Sequence, residues 1–342
     1  MSAPAVESLE RTGHEVLERA RRRVQPLLEE QVSLRLSALG GVAAYHLGWQ
    51  EADGARSQAG CGKTVRPALC FAAAEAVGAS ADAARTEAAA VQLVHDFSLL
   101  HDDLIDGDRT RRHRPAVWAS FGLPAGVLCG DALVATALAA VASASGEAAG
   151  FLAETVVELV EGEALDVAFE QRARVSPQEY VAMAGAKTGA LMGCACRLGA
   201  LAGGADRLRA AQLAAFGREL GVAFQIADDL LGLYGEEAAT GKPVGSDLAS
   251  RKKSLPILAA LAADTSSGRE LAALYGQSGP MSEADVAHAA RLVHAAGGVD
   301  IARRYAADAL RRARTALDEA RPTAHGREHL TALAHVLTHR DR

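Results

Sequence analysis

Four carboxylates and three arginines crowd the short stretch His101–Arg112. The apolar segment before it, residues 83–100, has no glycine or proline and predicts a buried helix. On an α-helix Asp102 and Asp106 lie one turn apart on the same face, with Asp103 beside them. Carboxylates this close repel one another unless a cation lies between them, and Mg²⁺ binds both carboxylate and phosphate oxygens. A solvated acidic helix end is the alternative, but it would oppose the helix macrodipole and cost stability without a counter-ion.

A second aspartate pair, Asp228–Asp229, is predicted to close another apolar helix that starts near Leu208. Two such pairs facing each other across one cavity would hold several Mg²⁺ ions on a diphosphate. Metals placed there would withdraw electrons from a leaving group.

Composition favours one helical, cytoplasmic domain. The 342 residues are 49% hydrophobic but only 4% aromatic, and abundant alanine suits closely packed helices. No linker divides the chain, so we expect a single domain over residues 1–342. The net charge of -6 gives no basic surface for nucleic acid. Five cysteines without metal-ligand spacing indicate reduced thiols, and we find neither a signal core nor an apolar run typical of a membrane span.

Lysine is rare in this chain. Lysine and arginine total 36, and only five of these are lysine, each in a stretch that resembles a phosphate contact: Lys63, Lys187, Lys242, Lys252 and Lys253. Lys187 projects from a helix of small residues, where a buried ammonium needs a partner. A bound anion is the preferred explanation, and a salt bridge to an unidentified acid is the second.

The motifs together resemble those of the all-trans isoprenyl diphosphate synthases, in the family's order and spacing over residues 60–256. Each motif alone is weak, but the ordered set is highly specific. The matching positions are Gly62–Lys63, Arg66–Pro67, His95, Asp102–Asp106, Arg111–Arg112, Gly130–Asp131, Lys187–Thr188, Phe224–Gln225, Asp228–Asp229, Lys242, Asp247 and Lys252.

The resemblance implies an all-α bundle around a deep central cavity, a homodimer, and a Mg²⁺-dependent prenyltransferase with three ions when diphosphate is bound. Asp102, Asp106 and Asp228 would bind the metal, and the neighbouring Asp103 and Asp229 belong to the same catalytic motifs. The implied allylic diphosphate ligands are Lys187, Lys242, Lys252 and Arg111, with Thr188 and Gln225 nearby. The implied isopentenyl diphosphate ligands are Lys63, Arg66, His95 and Arg112.

Five positions depart from the family pattern. Gly232 stands in place of a third aspartate in the second motif, and Glu163 stands where glutamine is usual. Cys61 replaces a glycine, Thr64 an arginine and His113 a glycine. These changes leave the main ligands intact but bear on metal and substrate affinity.

Product length depends on Phe97, five residues before Asp102, and on the small Ser98 beside it. In similar enzymes an aromatic residue here limits growth near the geranylgeranyl length, so the resemblance favours geranylgeranyl diphosphate. Ideal helix geometry places Ser98 rather than Phe97 beneath Asp102, and an aromatic is also an ordinary core residue. A farnesyl or longer product remains the alternative.

Two other functions stay open. A terpene cyclase would share the fold and first acidic motif but would not need Lys63, Arg66 and His95 for a second diphosphate. A catalytically silent subunit would be expected to lose acidic ligands, and Gly232 is the one hint of this.

Overall fold

The computed structural model describes residues 3–57, 62–172, 174–234, 245–277 and 279–339. Helices account for 79% of the chain, which confirms the all-α prediction. One short antiparallel hairpin, Thr110–Arg111 (β1) with Arg114–Pro115 (β2), follows the first acidic helix.

The helices are numbered here in chain order. They are α1 Ala3–Arg35, α2 Gly40–His46, α3 Val65–Ala76, α4 Arg85–Ile105, α5 Val117–Phe121, α6 Leu123–Ala144, α7 Gly146–Gln171, α8 Pro177–Ala184, α9 Ala190–Ala202, α10 Arg207–Tyr234, α11 Ser246–Ala249, α12 Leu255–Ala262, α13 Ser266–Tyr275, α14 Glu283–Ala295, α15 Gly298–Glu319 and α16 Ala324–Thr338. A 3₁₀ turn, Ala81–Ala84, precedes α4, and a π-helical turn, Gly185–Gly189, joins α8 to α9.

The chain divides into two compact units. Unit 1 comprises Met1–Val156, Leu191–Ala214 and Leu317–His335. Unit 2 comprises Val157–Ala190, Ala215–Ala316 and Val336–Arg342. The single domain and the deep cavity expected from the sequence stay predictions.

Unit 1 is built around α4, which packs against α3 and α6. Small residues allow the close approach of these helices. A side chain at Gly199 on α9 would meet the carbonyl oxygen of Cys70 at 2.0 Å, and one at Gly130 on α6 would meet the His101 ring at 2.3 Å. The alanine-rich composition is therefore used for close backbone packing.

Unit 2 holds a core of Phe169, Tyr180, Ile226, Leu255 and their neighbours, which come from α7, α8, α10 and α12. A second apolar cluster joins the later helices α12, α13 and α14 around Leu271 and Leu292. These cores place α7, the π-turn and α10 side by side.

Helix α1 contains a proline, Pro26, in its interior. The helix nevertheless runs unbroken from Ala3 to Arg35, and Gly40 begins α2. Buried Val24, Leu27 and Leu28 flank the proline, and their packing compensates for the lost backbone hydrogen bond.

Helix α6 is long and apolar enough to cross a membrane by length and composition. From the sequence we expected no apolar run of this kind. Its best 18-residue window has a mean hydropathy of 1.9, and 44% of that window is buried inside the protein. A core helix passes the same test, and α6 lies along α4 in unit 1.

Candidate functional site

The first aspartate motif lies where the sequence predicted, at the end of a buried helix. α4 ends at Ile105, and the backbone N–H of Asp106 donates to the carbonyl oxygen of Asp102 at 2.8 Å. Asp102 is half-buried and Asp106 is exposed, whereas Asp103 is only 2% exposed. The three carboxylates therefore occupy different environments.

Asp103 is held by Arg111. The arginine donates from Nε at 2.8 Å and from Nη2 at 2.5 Å, both to Asp103 Oδ1. Burial raises the pKa of Asp103, and the guanidinium opposes that rise. The β1–β2 hairpin presents Arg111, which sequence reasoning assigned to the allylic diphosphate. Here the same side chain anchors the end of α4.

Asp96, on α4, is a fully buried carboxylate that sequence reasoning missed. Gln92 Nε2 donates to its Oδ2 at 2.8 Å, and its Oδ1 lies 3.3 Å from His46 Nε2 and 3.7 Å from Arg112 Nη2. Burial alone would raise the Asp96 pKa, but contact with His46 and the charge of Arg112 lower it to about 2. An aspartate inside an apolar helix, directly after His95, was the available sequence signal.

The predicted isopentenyl ligands around Asp96 come together in unit 1. Burial, followed by the charges of Arg66 and Arg112, lowers the pKa of His95 well below its usual value. The Arg112 guanidinium packs 3.0 Å from the position a Cβ of Gly62 would occupy, which brings it next to the exposed Lys63. These residues form a cation-rich group, while Cys61 lies outside the described residues.

We expect Asp96 to make the protein sensitive to acid. Its folded pKa of about 2 lies below the usual value near 3.9, so its stabilisation is present above about pH 4 and is lost as the pH falls through 2. The loss is roughly 2.5 kcal/mol. Urea unfolding at pH 7, 4 and 2.5 should show Asp96→Asn less stable than wild type at pH 7 and less dependent on pH. Equal pH dependence in both proteins would contradict this assignment.

The second aspartate motif lies in the last two turns of α10, which continues to Tyr234. Asp228 is half-buried and Asp229 is 3% exposed. The Tyr180 hydroxyl donates to Asp229 Oδ2 at 2.5 Å, and the N–H of Leu255 donates to the same oxygen at 3.2 Å. Burial raises the pKa of Asp229 to about 7, against the lowering effect of Tyr180. In both motifs the second aspartate is anchored by the protein, a role that sequence reasoning did not assign.

Lys187 and Thr188 lie on the π-helical turn, a structure that often marks functional sites. Thr188 Oγ1 donates to Gln225 Oε1 at 2.8 Å, and Gln225 Nε2 donates to Asp229 Oδ1 at 3.3 Å. The predicted pair Thr188 and Gln225 is therefore linked to the second motif through a continuous set of hydrogen bonds.

Lys187 has two acidic partners on α7. Its Nζ lies 2.7 Å from Glu163 Oε2 and 2.7 Å from Asp166 Oδ2. Both acids project from α7 one turn apart. The salt bridge ranked second from the sequence is the one present, and its acids were visible in the sequence only as polar groups in an apolar helix.

The remaining lysines differ from one another. The carboxylates of Asp166 and Asp247 raise the pKa of Lys252, although its burial opposes this. Lys253 Nζ donates to the carbonyl oxygens of Phe169 and Glu170 at 2.7 and 3.0 Å, so it caps the end of α7 and is not the phosphate contact expected from the sequence. Lys242 lies outside the described residues.

At Gly232, where the resemblance implies an aspartate, the neighbouring carboxylate belongs to Asp247. Its Oδ2 lies 2.6 Å from the position a Cβ of Gly232 would occupy. A side chain at position 232 would collide with this carboxylate, so the two positions are sterically coupled.

Phe97 and Ser98, the predicted chain-length residues, lie on α4 in unit 1. Phe97 is 6% exposed, and its ring meets that of His101 edge-on with centroids 4.8 Å apart. Ser98 is half-buried and its hydroxyl donates to the carbonyl oxygen of His95 at 2.8 Å.

One histidine of the C-terminal helix α16 is buried. His329 is 4% exposed, and its Nδ1 lies 2.6 Å from Glu75 Oε2. With His325, these groups have ligand atoms close enough to hold a metal ion. The other ring nitrogen of His329 is 2.9 Å from Arg19 Nη2, so both of its nitrogens already have protein partners. We interpret the group as a hydrogen-bonded network around the buried His329.

Comparison with known proteins agrees with this arrangement of motifs. Residues 55–293 match the family model described as polyprenyl synthetase. The chain belongs to the polyprenyl synthetase family. It is 43% identical to a geranylgeranyl diphosphate synthase of Mycobacterium tuberculosis over 90% of this chain and 89% of the relative. It is also 43% identical to a (2E,6E)-farnesyl diphosphate synthase of the same species, over 87% and 84%.

Solved structures of the family show the same fold. A polyprenyl synthetase from Streptomyces coelicolor matches with a TM-score of 0.90 and 41% identity, over 95% of this chain and 99% of that one. A geranylgeranyl pyrophosphate synthase from Corynebacterium glutamicum, complexed with isoprenyl diphosphate and magnesium, matches with a TM-score of 0.80 and 25% identity, over 96% and 99%. This chain is thus an all-trans prenyltransferase of the isoprenoid synthase fold, in a Mg²⁺-dependent family.

The carboxylates suit that metal. Asp102, Asp106 and Asp228 are aspartates whose side chains are half-buried or exposed, and they offer the hard oxygen ligands that Mg²⁺ prefers. Asp103 and Asp229 instead are buried and have protein hydrogen-bond donors.

Proposed function

We propose that this enzyme condenses isopentenyl diphosphate with an allylic diphosphate to give geranylgeranyl diphosphate. One observation carries the proposal: each unit contains its own set of basic side chains and its own aspartate motif. Arg66, His95 and Arg112 lie together in unit 1, and Lys187 and Lys252 belong to unit 2. Two diphosphate substrates need two such groups, whereas a terpene cyclase needs one.

Lys63, Arg66, His95 and Arg112 are proposed to hold isopentenyl diphosphate. The proposed ligands of the allylic diphosphate are Lys187, Lys242, Lys252 and Arg111, with Thr188 and Gln225 as further candidates. Because His95 has a lowered pKa, its neutral ring would donate one hydrogen bond without adding a further charge.

Asp102, Asp106 and Asp228 are proposed to hold three Mg²⁺ ions together with the allylic diphosphate. When bound, Mg²⁺ stabilises the negative charge that develops on the departing diphosphate. The protein's contribution is to fix Asp103 and Asp229, so that the adjacent aspartates keep their orientation.

The first test is incubation with Mg²⁺, isopentenyl diphosphate and each allylic diphosphate, with products analysed by mass spectrometry. We expect elongation that ends at the geranylgeranyl length. Because Phe97 is bulky and buried, Phe97→Ala should extend the product by at least one isoprene unit. An unchanged product length would contradict the role of Phe97. A hydrocarbon or terpene alcohol from an allylic substrate alone would indicate a cyclase, and absence of product would indicate a silent subunit.

We further propose a cytoplasmic homodimer. Leu123 and Leu128 on α6 are 61% and 55% exposed, and Asp131 is the one charged residue of that helix. A second copy of the chain would cover these apolar side chains. Sedimentation equilibrium should give a dimer, and Leu128→Glu should shift it toward the monomer.

The described cysteines, Cys70, Cys129, Cys194 and Cys196, are buried free thiols, which favours a reducing compartment.

A further inference from the structure

We infer that Glu163 makes diphosphate binding at Lys187 depend on Mg²⁺, by neutralising Lys187 in the metal-free enzyme. The inference rests on the proposed function, since it takes the diphosphate of the allylic substrate as the ligand of Lys187. Glu163 is thus a positioning residue, which acts on the diphosphate indirectly by pairing with the Lys187 ammonium.

The geometry places one ammonium against two carboxylates. Lys187 Nζ is 2.7 Å from Glu163 Oε2 and 2.7 Å from Asp166 Oδ2, and the side chains are 21%, 12% and 20% exposed. Glu163 and Asp166 are three residues apart on α7, so they lie on one helix face and reach the ammonium together. At this depth, water screens these charges only in part.

Three glycines hold Lys187 in this position. A Cβ on Gly162 would lie 2.4 Å from the backbone nitrogen of Lys187, so α7 touches the π-turn directly. On the other side, a Cβ on Gly221 of α10 would lie 2.6 Å from the Cα of Gly189. The π-turn is therefore packed between α7 and α10, and the Lys187 backbone has little freedom to carry the ammonium away from the two acids.

The charges of this group decide its affinity for anions. One ammonium and two carboxylates carry a net charge of about −1, so an arriving diphosphate must compete with Glu163 and Asp166 for Lys187 and is repelled by both. Burial opposes the charge of the nearby Lys252, but the carboxylates of Asp166 and Asp247 outweigh it and raise the pKa of this lysine. Bound Mg²⁺ would supply the missing positive charge. A glutamine at position 163 would keep an oxygen acceptor for Lys187 while removing one negative charge.

The experiment is isothermal titration of inorganic diphosphate into wild type and Glu163→Gln, in EDTA and in saturating Mg²⁺. In EDTA the variant should bind about 10-fold more tightly than wild type, because one nearby negative charge is gone. In saturating Mg²⁺ the two dissociation constants should agree within about 3-fold. Glu161→Gln, an exposed change on the same helix, should match wild type in both buffers, and Glu163→Asp should retain the metal dependence.

A second measurement monitors the Lys187 ammonium group directly by NMR. With only five lysines in the chain, lysine-selective ¹⁵N labelling gives few side-chain resonances. The resonance lost in Lys187→Arg should shift in Glu163→Gln and not in Glu161→Gln.

The outcomes separate the two levels of the hypothesis. Equal affinity of wild type and Glu163→Gln for diphosphate in EDTA, with normal binding in Mg²⁺, would overturn the role of Glu163 and leave the proposed function standing. Weaker binding by Glu163→Gln in both buffers, with a lower Tm, would show a structural role and would also overturn it. Absence of binding by either protein in Mg²⁺ would overturn both the role of Glu163 and the proposed function.

Discussion

Replacing Asp102 by asparagine should lower kcat about 1000-fold while leaving the Tm near that of wild type. Asp102 is half-buried at the end of α4 and is a proposed Mg²⁺ ligand, so the change would weaken binding of the ion that stabilises negative charge on the departing diphosphate. Loss of one group that stabilises developing charge typically costs a factor of 10² to 10³. Steady-state turnover of an allylic diphosphate and a thermal melt of the same preparation are the measurements.

Asp103 provides the matched control, one residue away with the same side chain. Its carboxylate is 2% exposed and accepts two hydrogen bonds from Arg111. Asp103→Asn should therefore lower the free energy of unfolding by about 2 kcal/mol, a value reduced from that of a fully buried pair because Arg111 is partly exposed. If Asp102→Asn kept wild-type turnover, or if it destabilised the protein as much as Asp103→Asn, the division of roles between the two aspartates would be wrong.

Replacing Gly162 by alanine should lower the free energy of unfolding by about 3 kcal/mol and weaken diphosphate binding in Mg²⁺ at least about 10-fold. The new Cβ would lie 2.4 Å from the nitrogen and 2.8 Å from the Cα of Lys187. Both are backbone atoms of a packed turn, so the collision cannot be relieved by rotating a side chain. Either α7 or the π-turn must move, and Lys187 moves with it.

Gly150 lies on the same helix and serves as the comparison. A Cβ there would meet nothing within 4 Å. Gly150→Ala should therefore raise the free energy of unfolding by up to about 1 kcal/mol, because alanine is the better helix former. Urea unfolding and diphosphate titration of both variants test the pair. Similar behaviour of the two alanine variants would mean that α7 and the π-turn are not in close contact.

Local pattern was enough to predict the helices that carry the chemistry. Apolar segments ending in charged residues predicted α4 and α10. These features depend on neighbours within a few residues, so they can be read from the sequence. The ordered set of motifs added the family, which the comparisons confirm.

The partners of the charged side chains were decided only by tertiary structure. Tyr180 and Asp229 are 49 residues apart in sequence, and Lys187 reaches Asp166 across 21 residues. Such pairs form because glycines at positions 162, 189 and 221 let whole helices approach, and no local pattern encodes which acid an approaching lysine meets. The sequence therefore determined which residue types could bind diphosphate and metal. Packing decided which aspartate of each pair is an anchor, and that Lys187 is neutralised by two acids, since burial and long-range contact belong to the folded chain.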